Sequence, residues 1–400
     1  MAQNGYYLSS SPHFSMKLST QKIMLCVILS LIPECISGIV FFGFRSLLVI
    51  LTAVLSAIAS EALFQLCTKQ KITVNNLSAA LSGLLLALVC PPTIPLWMVC
   101  LGSFVAMVIA KGLFGGIGSN VFNPALTGRA FLVISFPAVM GASWLNPLSA
   151  VKAAGTSAGI DAASLADSAS GAADALSSLA DASASGALDA LSSATILSKV
   201  KAGTLENFDF MGYFLGSRAG CIGETSILLI LISFLFLFIM HIVDWRAPLS
   251  MVATFSVCTF FAGLSKGLSL AGQDVLIGLL TGGIIFGAAF MVTDYATTPV
   301  TKPGRLVFGF GCGLITFLIR KFGTYPEGVM FSILIMNTVA PFLNNLTVRS
   351  YGYGKKGNRK PDVSKITMEF DLKNARAQDI SPSISENSSV NKEKEEGNDE

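Results

Sequence analysis

Charge is what this 400-residue chain has least of. Only 13% of its residues are Asp, Glu, Lys or Arg, while 52% are hydrophobic. Aqueous domains carry roughly 25% charged residues and place them on their surface. With a mean hydropathy of +0.66, the composition argues against the usual soluble enzyme and makes lipid the natural solvent. Histidine is almost absent, since His13 and His241 are the whole supply. A bis-histidine haem site and a histidine-rich zinc site within the chain are thereby set aside. The eight cysteines include no C-x-x-C pair and fall mostly inside apolar runs, so they read as small buried apolar residues. The net charge of +3 is too small to argue for nucleic acid. No A-x-A cleavage pattern follows Lys17 and Lys22, so the first apolar run reads as a retained helix.

What is present is a series of long apolar runs. A hydrocarbon layer about 30 Å thick needs roughly 20 helical residues, and that ruler gives about ten spans. They lie near 22–43, 46–66, 76–90, 94–111, 124–140, 225–243, 248–264, 274–292, 304–320 and 327–346. The fold class expected is therefore an all-α polytopic membrane protein. Lys17/Lys22, Lys69/Lys71, Lys111, Arg246, Lys302/Arg305 and the basic tail from Arg349 to Lys360 fall on one side of this layout. Arg45, Lys266 and Arg320/Lys321 dissent. The majority sets both termini in the cytoplasm.

The expected organisation is a cytoplasmic N-terminus (1–21), a first five-helix half (22–140), an external loop (141–224), a second five-helix half (225–348) and a cytoplasmic, largely disordered tail (349–400). Glycine and proline are dense from Gly112 to Pro124 and from Gly282 to Gly313. Irregular backbone at membrane depth survives only where protein or a watery cavity surrounds it, so both stretches are candidate discontinuous helices. Leu81-Ser82-Gly83 echoes Leu280-Thr281-Gly282, each before a Pro-bearing turn, and the surroundings of Asn123-Pro124 echo those of Pro326-Glu327. Two inverted five-helix repeats explain the echo. Chance likeness among Gly-rich segments is the competing explanation.

Residues 151–194 are almost entirely Ala, Ser, Asp, Gly and Leu, a low-complexity insertion unable to build a core. Its duplicated unit ends, the second time, in Asp189-Ala190-Leu191-Ser192-Ser193-Ala194-Thr195. This resembles the D-x-x-[S/T]-G-A-T signature by which flavin transferases join FMN, through its phosphate, to a threonine hydroxyl. Ser193 stands where that signature has Gly. On this likeness Thr195 is the attachment residue, and Asp189, Ser192 and Ala194 belong to the recognition motif.

Four further stretches resemble the membrane subunits RnfD and NqrB of ion-translocating electron-transport complexes. They are Gly115 to Leu126 with Arg129-Ala130-Phe131, Gly223-Glu224-Thr225-Ser226, Thr293 to Thr301 running to Gly304-Arg305, and Tyr325 to Val329 leading to Asn337. The likeness covers about 20–348 outside the insertion, and the short N-terminus is more similar to the Rnf branch. It implies covalent FMN outside the membrane, admits a noncovalent riboflavin within it, and implies electron transfer among partner subunits with Na⁺ or H⁺ movement. The Rnf branch joins ferredoxin and NAD, whereas the Nqr branch reduces quinone. A flavin transferase would serve maturation, and the bacterial inner membrane is the implied location. Neither NAD nor ferredoxin is expected to bind this chain, which has no dinucleotide signature or cysteine cluster.

Lys111, Arg129, Asp294 and Glu327 lie at or near expected spans, where ionisable groups are costly and often line ion paths. Asp294, Glu327 and Lys111 are the ion-path candidates. The alternatives are that Lys111 snorkels to the interface and that Arg129 caps or pairs locally. Thr293 to Thr301 could bind flavin or Na⁺ or merely satisfy a Pro-interrupted helix. Glu224 is expected to begin a helix, favoured by its dipole. Trp97, Trp144 and Trp245 suit interfacial anchoring. No catalytic residue and no metal site is expected. The rival to a flavoprotein subunit is a redox-inactive channel or secondary transporter with five-helix repeats.

Overall fold

The computed structural model describes residues 19–69, 74–142, 210–216, 219–264, 267–323 and 327–347. Every regular element among them is helical. The two longest apolar helices are α1 (Thr20–Phe42) and α2 (Phe44–Cys67). Then follow α3 (Ser78–Leu88), α4 (Leu96–Gly112), α5 (Pro124–Ser135) and α6 (Pro137–Ala142). After α7 (Phe210–Leu215) come α8 (Ile227–Ile239), α9 (Arg246–Gly263), α10 (Leu268–Leu280) and α11 (Ile284–Met291). The last two helices are α12 (Lys302–Phe322) and α13 (Val329–Thr347).

The apolar runs marked out in the sequence fall on helices, two of them (124–140 and 274–292) on broken pairs, and among the described residues only α1 and α2 are individually long and apolar enough to cross a bilayer. The bent pair α10 and α11 would make a third crossing if counted as one. The exterior is what lipid requires. Leu25, Leu29, Ile32, Ile36 and Val40 form the exposed stripe of α1, whereas Ser30, Glu34, Ser37 and Gly38 face inward. Small residues let the helices approach closely, as expected where packing and not water drives association. Gly309 and Gly313 lay one face of α12 on the Ala247 and Met251 carbonyls of α9, where any Cβ would collide.

The breaks shape the interior. At 11 residues, α3 is about 16 Å long, too short to cross. It ends at Leu88 inside the protein, with Val89 to Pro92 also buried. Between α10 and α11 the axis bends by 65° at Thr281–Gly283. The expected fifth span, 124–140, is interrupted at Phe136, because Pro137 gives no N–H and disfavours helical backbone before it. The discontinuity expected from Gly282 to Gly313 is confined to its first part, since α12 runs unbroken through Gly309 and Gly313. Two segments depart from α-helical winding into π-turns, Val105–Gly112 at the end of α4 and Gly287–Met291 within α11. Such turns are frequent at functional sites.

Two arginines that dissent from the charge count have structural employment at these breaks. Arg45 donates to the Thr93 and Ile94 carbonyls after α3. Arg320 donates to the Gly278 and Thr281 carbonyls at the end of α10, 2.6 and 3.3 Å away, and lies over the Phe255 ring. Each guanidinium serves carbonyls left without helical partners. The cysteines are free. Cys90, Cys221 and Cys312 are buried as expected, whereas Cys67 and Cys100 are exposed on apolar helix faces. Trp97 and Trp245 are exposed near helix starts.

Candidate functional site

The non-helical, turn-forming segment Cys221–Ser226, buried throughout, is wedged against the end of α3. The Ile222 and Gly223 amides donate to the Cys90 and Leu88 carbonyls at 3.2 and 2.8 Å. Glu224 follows, and its carboxylate meets Arg129 of α5 at 3.6 Å. Two residues before α13, Glu327 accepts from the same guanidinium at 2.6 Å and from the Gly283 amide at 3.2 Å. Arg129 also points at the Cys221 sulfur, 3.5 Å away. Gly283 is required here because a Cβ would strike the Glu224 carboxylate and lie 2.8 Å from that of Glu327. One buried cation thus joins the first half, the segment before α8 and the second half. Arg129 pairs neither locally nor as a cap. Glu224 does not begin a helix as expected: α8 starts three residues later at Ile227, and the carboxylate turns to Arg129. A full positive charge close by outcompetes the partial charge of a helix end.

Lys111 lies in the last turn of the π-segment of α4 and is also buried. Its ammonium binds Glu61 of α2 at 2.6 Å and the Ser78 hydroxyl at 2.7 Å. It therefore does not snorkel to an interface. Glu61 was not singled out in the sequence, although a carboxylate deep inside the apolar 24-residue helix α2 was the signal available.

Asp294 follows the π-turn of α11. Its carboxylate accepts from Thr297 at 3.1 Å, and no ion pair reaches it among the described residues. Thr293 and Thr298 bond the Ala289 and Val292 carbonyls, so these hydroxyls serve the interrupted backbone first. Tyr295 donates to the Ile242 carbonyl. Beyond it, Asp244 in the α8–α9 connection accepts from Arg246 at 2.8 Å and from Arg305 at 2.9 Å. Partial burial pushes the Asp244 carboxyl upward, but these two guanidiniums prevail and hold it below its ordinary range.

The two discontinuous stretches foreseen from the sequence face one another across a cavity of about 470 Å³. Ser78, Lys111, Asn120 and Asn123 line it from the first half, and Phe290, Thr293, Asp294 and Thr298 from the second. Asn123 caps α5 by accepting from the Ala125 and Leu126 amides. With its amide turned to satisfy both ends, Asn337 of α13 accepts from the Asn123 N–H at 3.2 Å. Lys111 and Asp294 thus share a cavity wall, whereas Glu327 belongs to the Arg129 centre. Asp189, Ser192, Ala194 and Thr195 lie outside the described residues. Among those residues no cluster of His, Cys, Asp and Glu suits a metal ion.

Apolar helices of spanning length, two helix breaks and a charged, cavity-bearing interior mark a polytopic membrane protein. The chain belongs to the NQR2, RnfD, RnfE family, whose model matches residues 7–352. It is 37% identical over 354 residues to the D-subunit of the proton-translocating ferredoxin:NAD(+) oxidoreductase complex of Clostridium ljungdahlii, covering 86% of this chain and 95% of that relative. It is 36% identical over 352 residues to the D-subunit of the Na(+)-translocating ferredoxin:NAD(+) oxidoreductase complex of Acetobacterium woodii, covering 87% and 96%. A third relative is the D-subunit of the ion-translocating oxidoreductase complex of Escherichia coli, 37% identical over 355 residues, covering 88% and 99%.

Proposed function

We propose that this chain is the RnfD component of an Rnf-type complex, a membrane flavoprotein subunit of a redox-driven Na⁺ or H⁺ translocase. Near-full-length similarity to the corresponding subunits of such complexes carries the reading. It works with other membrane and peripheral subunits and is not a complete enzyme alone. On this reading the helices form about ten crossings of the inner membrane in two five-helix repeats, the shorter ones buried among neighbours. Matching π-turns and matching arginine-served breaks support the repeat. Both termini lie in the cytoplasm by the balance of Lys and Arg.

Electrons pass through FMN held by Thr195, with Asp189, Ser192 and Ala194 read by a flavin transferase. A flavin supplies one-electron chemistry while the protein supplies placement and electrostatics. The cavity suits a second, noncovalent flavin such as riboflavin. Its size falls among small-molecule sites, and its wall is mostly apolar with a few placed polar groups. Lys111, Asn120 and Thr293 would fix the orientation of such a ring, and Phe290 would flank it. A redox-inactive transporter would share the broken helices and buried charges, so flavin attachment separates the two readings. Protein produced with an active flavin transferase is expected to keep ultraviolet fluorescence on a denaturing gel, with the adduct mapped to Thr195 by peptide mass spectrometry. Thr195→Val abolishes it and Thr156→Val leaves it intact. An unmodified chain beside a modified control would favour the transporter.

A further inference from the structure

Glu34 lies in the interior of α1, beside Pro33 and far from either helix end. It is 1% exposed, and neither carboxyl oxygen makes a hydrogen bond or an ion pair among the described residues. The polar group facing it is Ser233 of α8, 2% exposed, whose hydroxyl lies near the carboxyl but outside strict hydrogen-bond geometry with it. Hydroxyls on α1 itself are committed elsewhere, Ser30 to the Val27 carbonyl and Ser37 to the Glu34 carbonyl. The only titratable neighbour on the same helix is Cys35. Helix α8 contains none, α3 contains none, and on α2 both Arg45 and Glu61 are engaged with other groups. One turn along α1, Gly38 packs directly on Ile222, two residues before Glu224. Glu34 thus lies one helical turn from the residue that packs on the Glu224 segment and is not itself part of the Arg129 centre.

An ionised carboxylate with no counter-charge is among the most costly groups at this depth, and a neutral acid is not. We propose that Glu34 and Ser233 form a proton-binding site inside the membrane, with Glu34 a carboxylic acid at rest that releases and regains its proton during turnover. In the acid state Glu34 donates to the Ser233 oxygen. On release the O–H bond breaks, the electron pair stays on the carboxylate, the proton goes to water, and the Ser233 hydroxyl turns to donate to the carboxylate. No oxidant or reductant takes part in this step. The turnover part rests on the reading of the chain as a subunit of a redox-driven pump.

The test is infrared spectroscopy of the assembled complex in lipid, oxidised and then reduced, with wild type, Glu34→Gln and Ser233→Ala compared. A carboxylic-acid C=O band that shifts in D₂O, changes on reduction and vanishes in Glu34→Gln is expected. Ser233→Ala should keep the band at a higher frequency, which serves also if Glu34→Gln fails to assemble. A band unchanged by both substitutions, a band indifferent to reduction, or one removed by Na⁺ at constant pH would overturn the proposal. Absence of flavin reduction signals would instead overturn the redox reading, and the static acid band would still decide whether Glu34 holds a proton.

Discussion

The π-turn Val105–Gly112 carries Lys111 in its last turn, the π-turn Gly287–Met291 leads to Asp294, and both charges border one cavity. They are treated differently. Lys111 is neutralised by Glu61 and held by Ser78, while Asp294 has Thr297 and no counter-charge among the described residues. A closed ion pair fixes structure, since neither member can leave without stranding the other in a low-dielectric interior. A carboxyl held by one hydroxyl and a backbone amide, with no counter-charge, can exchange its partners more readily. The first half is thus the rigid wall of the cavity and the second half the adjustable one.

The largest expected effect breaks the rigid wall. Lys111→Met leaves Glu61 buried and unpaired and should cost about 3–5 kcal/mol of stability. Lys111→Met with Glu61→Met should recover most of it, because the uncompensated charge is gone. Thermal denaturation of the detergent-solubilised protein measures both, and a double variant as unstable as the single would refute the closed pair. Gly283→Ala is next: its Cβ displaces the Glu224 carboxylate, at a cost of about 1–3 kcal/mol. The same assay reads it, and an unchanged transition would mean that the Arg129 centre tolerates looser packing. Asp294→Asn should cost less than about 1 kcal/mol, since the amide keeps an oxygen for Thr297 and no cation is abandoned. A loss equal to that of Lys111→Met would erase the contrast between the walls.

The smallest effect lies at the edge of the second half. Asp244 is held below its ordinary range by Arg246 and Arg305, so its contribution is present above the unfolded value and fades as pH falls through the lower, folded one. Asp244→Asn should therefore lower stability slightly in the neutral region and flatten the acid limb, the two curves converging at the acid end. Equal acid limbs would remove Asp244 from the network.

The positions of the helices were legible because an apolar run of sufficient length has one low-energy backbone in lipid, with every amide satisfied internally. The broken stretches were legible from Gly and Pro. Lys111 and Asp294 were visible as charges amid apolar sequence, but their partners were not. Lys111 and Glu61 are 50 positions apart, and Arg129 and Glu327 are 198 apart. No local periodicity links such residues. Glu224 was misjudged because adjacency to an apolar run favours a helix start, whereas the nearby Arg129 decides its direction.

Composition and order alone determined that this chain belongs in a bilayer, roughly where its helices lie, some of the places where they break, and which family its motifs resemble. Each of these follows from properties that neighbouring residues share along the chain. Which charges neutralise one another, which carboxyl is left alone, and that two distant breaks enclose one cavity were decided by tertiary structure. The physical reason is that Coulombic pairing and desolvation depend on distance in space, and packing sets that distance between residues the sequence holds far apart.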